Sequence, residues 1–387
     1  NMINTFSTVN RIISGAGASG HLLEEVNRIG AKKVLFITDP FIENIGLIDK
    51  LSAGFIEAGI SSETFSKVQP DPTVHNVEEG LGKLKASKAD LLIAVGGGSP
   101  IDAAKAIAIA TNNKLPLSQY MGYQKIPKPG IPVIAIPTTA GTGSEVTKVT
   151  VISDTESDVK MMIFDDNLLP KVALIDYELT LTMPVGLTAH VGIDTLTHGI
   201  EAYVSKKSSA MTDALALSCI RLVAENLEIA WNDLNNKTAR EGMAMAACHG
   251  GMAFTNSSVC LIHGMSRPLG VQFHLPHGLS NAVLLPTVTK YSICGAANKY
   301  ARIAREMGFS RNTDSDEKAN QNLIKGLEEL NRSLKVPRLR DCKGVDKVKF
   351  NEVLQKMADD ALASGSPQNN PRVPSKDEIV KLYQEAW

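Results

Sequence analysis

The chain has 387 residues, 43% of them hydrophobic, and a formal net charge of −1. That is long enough for two domains with full cores, and the balanced charge with no basic arm argues against a nucleic-acid partner. The most apolar stretch, LLIAVGGG, is far too short to cross a bilayer, and NMINTFSTVN lacks the charged-then-apolar pattern of a secretory signal, so neither a membrane partner nor export is expected. Five cysteines (219, 248, 260, 294 and 342) without a CxxC pair point to reduced thiols in a cytoplasmic protein.

Residues 32–38, KKVLFIT, read as a strand closing on Asp39–Pro40. An amphipathic helix over Leu47–Ala58 follows, then a strand in SSETFSKV, a helix over Val74–Lys85 and an apolar strand over Asp90–Val95. A helix that starts near Ile101 and runs through Ala103–Ala110 leads to another buried strand, Ile131–Ile136. Apolar strands separated by helices predict a mostly parallel sheet covered on both faces, a dinucleotide-binding α/β domain over residues 1–182. From about Met183 the alternation stops, and Pro184 and Gly186 mark the boundary. Helical periodicity then dominates: Met211–Trp231, Ala239–Phe254, Leu279–Tyr291, Ala297–Met307, Glu317–Leu334, Val345–Ala363 and Lys376–Ala386. Residues 183–387 are therefore expected to form an all-helical domain, with a cleft between the two halves.

Two loops at strand ends carry chemistry. Gly96, Gly97, Gly98 and Ser99 leave the strand LLIAV and enter a helix; glycines let the backbone approach a diphosphate, and the N–H groups at the helix start point at it. Ser99 is a candidate cap and Pro100 suits the first turn. The spacing is not GxGxxG, and a purely structural turn explains this loop alone about as well. The second loop, PTTAGTGSE, is dense in hydroxyls (Thr138, Thr139, Thr142), as a loop around a phosphate or ribose would be. Asp39 at a strand end can bond a ribose hydroxyl and repel a 2′-phosphate, or simply cap a helix before Pro40.

In the helical half, HVGIDTLTHGIEAY places Asp194 and His198 at i and i+4, on one helical face. His263 and His277 lie on segments punctuated by Pro and Gly. Together the four make a three-imidazole, one-carboxylate set able to hold a divalent metal, with Zn, Fe, Ni and Cu all compatible with imidazole. Taken singly, each histidine is as well explained as a hydrogen-bonded core or surface residue. Five of the eight histidines (190, 198, 263, 274 and 277) crowd into these windows, which favours the metal.

The segments GGGSPIDAAKAIA, PTTAGTGSEVT, GIDTLTHGIEAYVS, HGMSRPLG, LPHGLSNAVLLP and SGSPQNNPRVPSKDEIVKLYQEAW resemble the iron-dependent (group III) alcohol dehydrogenases from the first strand to Trp387. The resemblance implies Asp194, His198, His263 and His277 as ligands of Fe2+, with Zn2+ as the alternative. It implies Asp39, the Gly96–Ser99 turn, Thr138, Thr139, Thr147, Lys160 and Leu179 as NAD-binding positions, and Asp102 as a second acidic residue after the glycines. Three positions depart from the family pattern: Arg267 where His is usual, Val149 where an aromatic residue is common, and Asp71 where Asn is usual. Phe254, Val149, Leu362 and Arg267 are expected to shape the substrate pocket.

Hydride transfer between NAD(H) and a small primary alcohol, diol or aldehyde follows, in a homodimer or larger homo-oligomer. A hydroxyacid–oxoacid transhydrogenase and an NAD-dependent cyclising lyase share enough of the architecture to stand as alternatives, and a non-catalytic scaffold would have no use for four ligands. Arginine cannot act as a base near neutral pH, so the alcohol proton is expected to leave through another group, with His274 the nearest in sequence. Arg267 then either presents its donors to substrate or forms a salt bridge to an acidic neighbour.

Overall fold

The computed structural model describes residues 3–387. The chain divides into two compact units, Ser7–Thr182 and Met183–Trp387, the second including the described residues before Ser7.

The first unit contains β1 (Arg11–Ser14), α1 (Leu22–Ile29), β2 (Lys33–Ile37), α2 (Pro40–Asn44), α3 (Leu47–Leu51), β3 (Ser61–Phe65), α4 (Val74–Ser87), β4 (Leu91–Gly96) and α5 (Gly98–Ala110). It continues with β5 (Gly122–Tyr123), β6 (Val133–Pro137), β7 (Val149–Asp154), β8 (Val159–Phe164) and β9 (Val172–Ile175). Six strands form a parallel sheet in the order β1-β9-β6-β4-β2-β3. Successive side chains of a strand point to opposite faces, and both faces are covered. Leu35, Ile37, Leu92 and Ala94 enter one core cluster, while Val34, Phe36, Leu91, Ile93 and Val95 enter the other. From β2 the chain runs outward to β3, then returns past β2 and builds β4, β6 and β9 in the opposite direction. The switch point therefore lies between β2 and β4, where open α/β sheets take their ligands at the carboxyl ends of the strands. Asp39 follows one of these strands, and the three glycines run from the last residue of the other into α5.

Two local expectations need correction. The helix expected over Leu47–Ala58 stops at Leu51: the Ser52 hydroxyl donates to the Asp49 carbonyl at 3.2 Å, and Gly54 adopts φ +83°, which no continuing helix tolerates. Helix α5 starts at Gly98 with Gly97 as its N-cap, so Ser99 and Pro100 lie inside the first turn and Ser99 is not the cap. The strands β1 and β9 and the antiparallel hairpin β7–β8, which joins β5 in a second sheet, were not anticipated. β1 and β9 have four residues each, too few to show a period.

The second unit is helical: α6 (Val185–Val204), α7 (Ala210–Asn232), α8 (Lys237–Asn256), α9 (Leu261–Phe273), α10 (His277–Ser292), α11 (Ala297–Glu306), α12 (Asp316–Ser333), α13 (Lys347–Ala363) and α14 (Lys376–Ala386). The segments of His263 and His277, punctuated by Pro and Gly in the sequence, are helices that carry Pro268 and Pro286 internally, the second containing the helix expected over Leu279–Tyr291. Proline removes the N–H that would bond the carbonyl four residues back. At Pro286 that carbonyl belongs to Ala282, and it accepts instead from Asn331 Nδ2 at 2.7 Å. Among the described residues no helix is long and apolar enough to cross a membrane.

Candidate functional site

Asp194, His198 and Glu201 stand at i, i+4 and i+7 of α6, one stripe of a helix that is buried from Gly192 to Val204. Small residues let its neighbours close on it. A Cβ at Gly192 would sit 2.2 Å from Leu227 Cδ1 on α7, and one at Gly278 would sit 2.1 Å from the His190 carbonyl oxygen. The second contact brings the start of α10 against α6, with His277 as its first residue. His263 enters from the first turn of α9.

The four predicted metal residues meet at one carboxylate oxygen. Asp194 Oδ1 lies 3.4 Å from His198 Nε2, 3.3 Å from His263 Nε2 and 3.3 Å from His277 Nε2. Ligand atoms of Asp194, His263 and His277 all fall within 4.8 Å of one another, and His198 joins them through Asp194. The rings of His198 and His263 stack at 4.9 Å. Asn281, one turn beyond His277, donates from Nδ2 to Asp194 Oδ1 at 2.8 Å.

Two groups on this face were not anticipated. Glu201 Oε1 accepts from the His263 backbone N–H at 2.9 Å and from His263 Nδ1 at 3.0 Å, and Oε2 accepts from the Cys260 N–H. Engaging Nδ1–H fixes the tautomer that leaves the Nε2 lone pair free for a metal. The spacing from Asp194 could have flagged Glu201; Asn281 offered only its i+4 relation to His277.

Burial penalises the Asp194 charge, but His198 and His277 and the hydrogen bonds from His263 and His277 hold its carboxyl well below the usual range. Burial drives His198 down to about 3 and keeps its imidazole neutral, with Nδ1 buried and without a hydrogen-bond partner among the described residues. At His263 burial is outweighed by the hydrogen bonds to Asp194 and Glu201, so its pKa is raised. A buried carboxylate, convergent ring nitrogens and an oriented imidazole are what a divalent cation requires, and the set fits iron or zinc. The site opens at one ligand: the His277 side chain is 46% exposed, against 5% or less for the other three.

Phe254 stacks on His198 with ring centres 4.3 Å apart and shields it. Arg267, one turn after His263, donates from Nη1 to Ser366 Oγ at 3.0 Å; burial lowers its pKa to about 10. Among the described residues it forms no ion pair, so the salt bridge considered for it is not made. His274 is exposed, ends α9 at φ 53° and makes none of the hydrogen bonds that join the cluster.

The residues predicted for a dinucleotide lie in the first unit. Asp39 Oδ1 caps α2, accepting from the Ile42 N–H at 2.9 Å, while Oδ2 lies 3.4 Å from where a Cβ on Gly96 would stand. The capping reading is thus realised with one oxygen, and the other turns to the glycines. Gly96 needs its freedom, with φ +145° and Pro100 Cγ 2.7 Å from the Cβ position. A Cβ at Gly97 would sit 3.3 Å from Thr139 Cγ2, and one at Gly98 3.0 Å from Thr142 Cγ2, so the two loops close on each other. The Thr138 N–H donates to the Gly96 carbonyl at 2.8 Å. This cradle of small residues at the switch point, ending on a 13-residue helix, fits a diphosphate.

Other predicted positions have structural partners. Asp102 accepts from Ser144 Oγ at 2.8 Å and from the Val151 N–H at 3.2 Å, and burial raises its pKa. Lys160 Nζ donates to Asp71 Oδ1 at 3.0 Å, both exposed, and Leu179 packs on the sheet core. Thr147 and Val149 are held by Lys105, a residue the sequence reading passed over. Its buried ammonium donates to Thr147 O (2.9 Å), Thr147 Oγ1 (3.0 Å), Val149 O (3.0 Å) and Ser144 Oγ (3.3 Å). A lysine in DAAKAIAIA, three residues after Asp102, was the available signal.

Residues 9–177 match the family model described as iron-containing alcohol dehydrogenase, and residues 188–387 match the Fe-containing alcohol dehydrogenase family, C-terminal. The chain is 40% identical over 376 residues to lactaldehyde reductase of Escherichia coli K12, covering 96% of this chain and 97% of that protein. It is 36% identical over 374 residues to the NAD-dependent methanol dehydrogenase of Bacillus methanolicus, covering 97% of each. A crystal structure of 1,3-propanediol oxidoreductase superposes with a TM-score of 0.96 at 36% identity, with complete coverage of both chains.

Proposed function

The chain belongs to the iron-containing alcohol dehydrogenase family, and from that premise we propose that it is an NAD(H)-dependent oxidoreductase of small primary alcohols, diols or aldehydes that uses Fe2+. The observation that carries the reading is the convergence of His198, His263 and His277 on Asp194 Oδ1 within 3.3–3.4 Å. When bound, the metal supplies Lewis acidity at the substrate oxygen and the nicotinamide exchanges hydride with the substrate carbon.

The residues of the chain do the positioning. Asp194 contributes the anionic ligand and the three imidazoles contribute neutral ones, which leaves part of the cation's charge for substrate. Glu201 keeps the His263 proton on Nδ1. Phe254 covers His198, so substrate approaches from the His277 side, the exposed edge of the set. Arg267 stays protonated at working pH and offers no base. In the first unit, the Gly96–Gly98 turn would hold the dinucleotide's diphosphate and Asp39 its adenosine ribose, while Lys105 with Asp102 holds the Ser144–Val151 segment against α5. The donor set serves Zn2+ as well as Fe2+, and the family favours iron.

The test is NADH oxidation by a panel of two- to six-carbon aldehydes, including lactaldehyde, with the protein loaded separately with Fe2+ or Zn2+. Stoichiometric NADH consumption with alcohol formation is expected. Product without redox change, or turnover only as an exchange that needs no added NAD(H), would refute the reading.

A further inference from the structure

Arg267 stands one helical turn from a metal-site residue. It lies four residues after His263 on α9, hence on the same helical face. It is close enough to Asp194 and Glu201 for their charges to support its protonation. Of its five N–H donors, the structure shows one hydrogen bond, Nη1 to Ser366 Oγ at 3.0 Å. No carboxylate pairs with it among the described residues, yet no Arg267 nitrogen is among the buried polar atoms without a partner, so the unused donors face accessible space. The group is half-buried, with much of its hydration already lost. A part-desolvated guanidinium that keeps open donors and, among the described residues, has no carboxylate bonded to it is a site for an oxyanion.

We propose that Arg267 is a specificity-determining residue that selects aldehydes and alcohols carrying a carboxylate remote from the reacting carbon. This rests on the oxidoreductase reading above and names the substrate class for it. In the reductive direction, hydride leaves NADH to form a C–H bond at the aldehyde carbon and the carbonyl oxygen takes a proton from water. NADH is oxidised and the aldehyde reduced to a hydroxy acid, with the carboxylate unchanged. The carboxylate accepts two parallel N–H bonds from the guanidinium, which a neutral substrate cannot reproduce. Ser366 holds the fork by its other edge. Any dehydrogenase, transaminase or aldolase that releases a semialdehyde acid could supply such a substrate.

The test compares succinate semialdehyde with its methyl ester, which is nearly the same shape but lacks the charge. The wild type, Arg267→Met and Arg267→Lys are assayed in the metal-loaded form, and KM for NADH is measured with each substrate. The wild type is expected to prefer the carboxylate by roughly 10- to 100-fold in kcat/KM, the range of a charge-assisted hydrogen bond. Arg267→Met should abolish that preference chiefly through KM for the aldehyde, and Arg267→Lys should retain part of it, because an ammonium keeps the charge without the fork. Arg267→Lys carries the comparison alone if the Met variant does not fold. Equal use of both substrates by the wild type overturns the proposal, as does an equal loss for both in the variants, or a change confined to KM for NADH. In each of those outcomes reduction of the ester leaves the oxidoreductase reading standing; reduction of neither substrate nor any panel aldehyde refutes that reading itself.

Discussion

Glu201→Gln is the sharpest probe of how the metal residues are held. The carboxylate accepts three N–H groups: the backbone and Nδ1 of His263 on Oε1, and the backbone of Cys260 on Oε2. Glutamine has one acceptor oxygen. If that oxygen stays on His263, the new NH2 faces the Cys260 N–H, donor against donor; if the amide flips, both His263 donors lose their acceptor. Either way at least one buried donor is orphaned, at a cost of about 1–3 kcal/mol. In both orientations the charge-assisted bond from Nδ1–H is weakened or lost, so the lock on the His263 tautomer loosens, and loss of such an outer partner typically weakens metal binding by about 10–100-fold. Competition for Zn2+ against a chromophoric chelator measures the affinity, and a urea titration of the metal-free protein measures the stability. A Glu201→Gln protein that binds Zn2+ within threefold of wild type would refute the assigned role.

Three further outcomes are expected. Burial pushes the Glu145 carboxyl up to about 7; its stabilising contribution is full below its ordinary value of about 4.5 and lost as pH rises through 7. Glu145→Gln should therefore remove a fall in thermal midpoint between pH 5 and 7.5, and parallel curves for the two proteins would contradict this. Gly278→Ala drives a methyl into the His190 carbonyl, so overpacking of about 1–3 kcal/mol should separate α10 from α6, lowering both the urea midpoint and Zn2+ affinity; an unchanged Zn2+ affinity would dissociate that contact from the metal site. Asp39→Ser keeps a capping oxygen for Ile42 but removes the charge, so the ratio of kcat/KM for NADH over NADPH should drop at least about tenfold with little change in stability, and an unchanged ratio would leave Asp39 a helix cap only.

What could be read from the sequence by itself was local. Asp194 and His198 share a face because a helix rises 1.5 Å per residue and turns every 3.6. The parallel sheet announced itself in strands apolar on both faces, such as LLIAV, and the helical half in its 3.6-residue period. The glycine turn was visible because Gly96–Gly98 interrupts an apolar strand. Trp387 and Arg267 could be located in a family pattern, but a pattern assigns no partner. Only the tertiary structure decided that the Nε2 atoms of His263 and His277 reach one oxygen of Asp194, which depends on Gly278 closing α10 against His190. It also decided that Glu201, which resembles any glutamate near the end of a helix, lies buried with three donors, and that Lys105 is a clamp inside an apolar helix. Among the described residues it left Arg267 without an ion pair and His274 outside the cluster. The physical reason is that spacing within one helix or strand is set by backbone geometry, whereas the meeting of separate elements is set by side-chain packing between residues far apart in the chain, which no local period encodes.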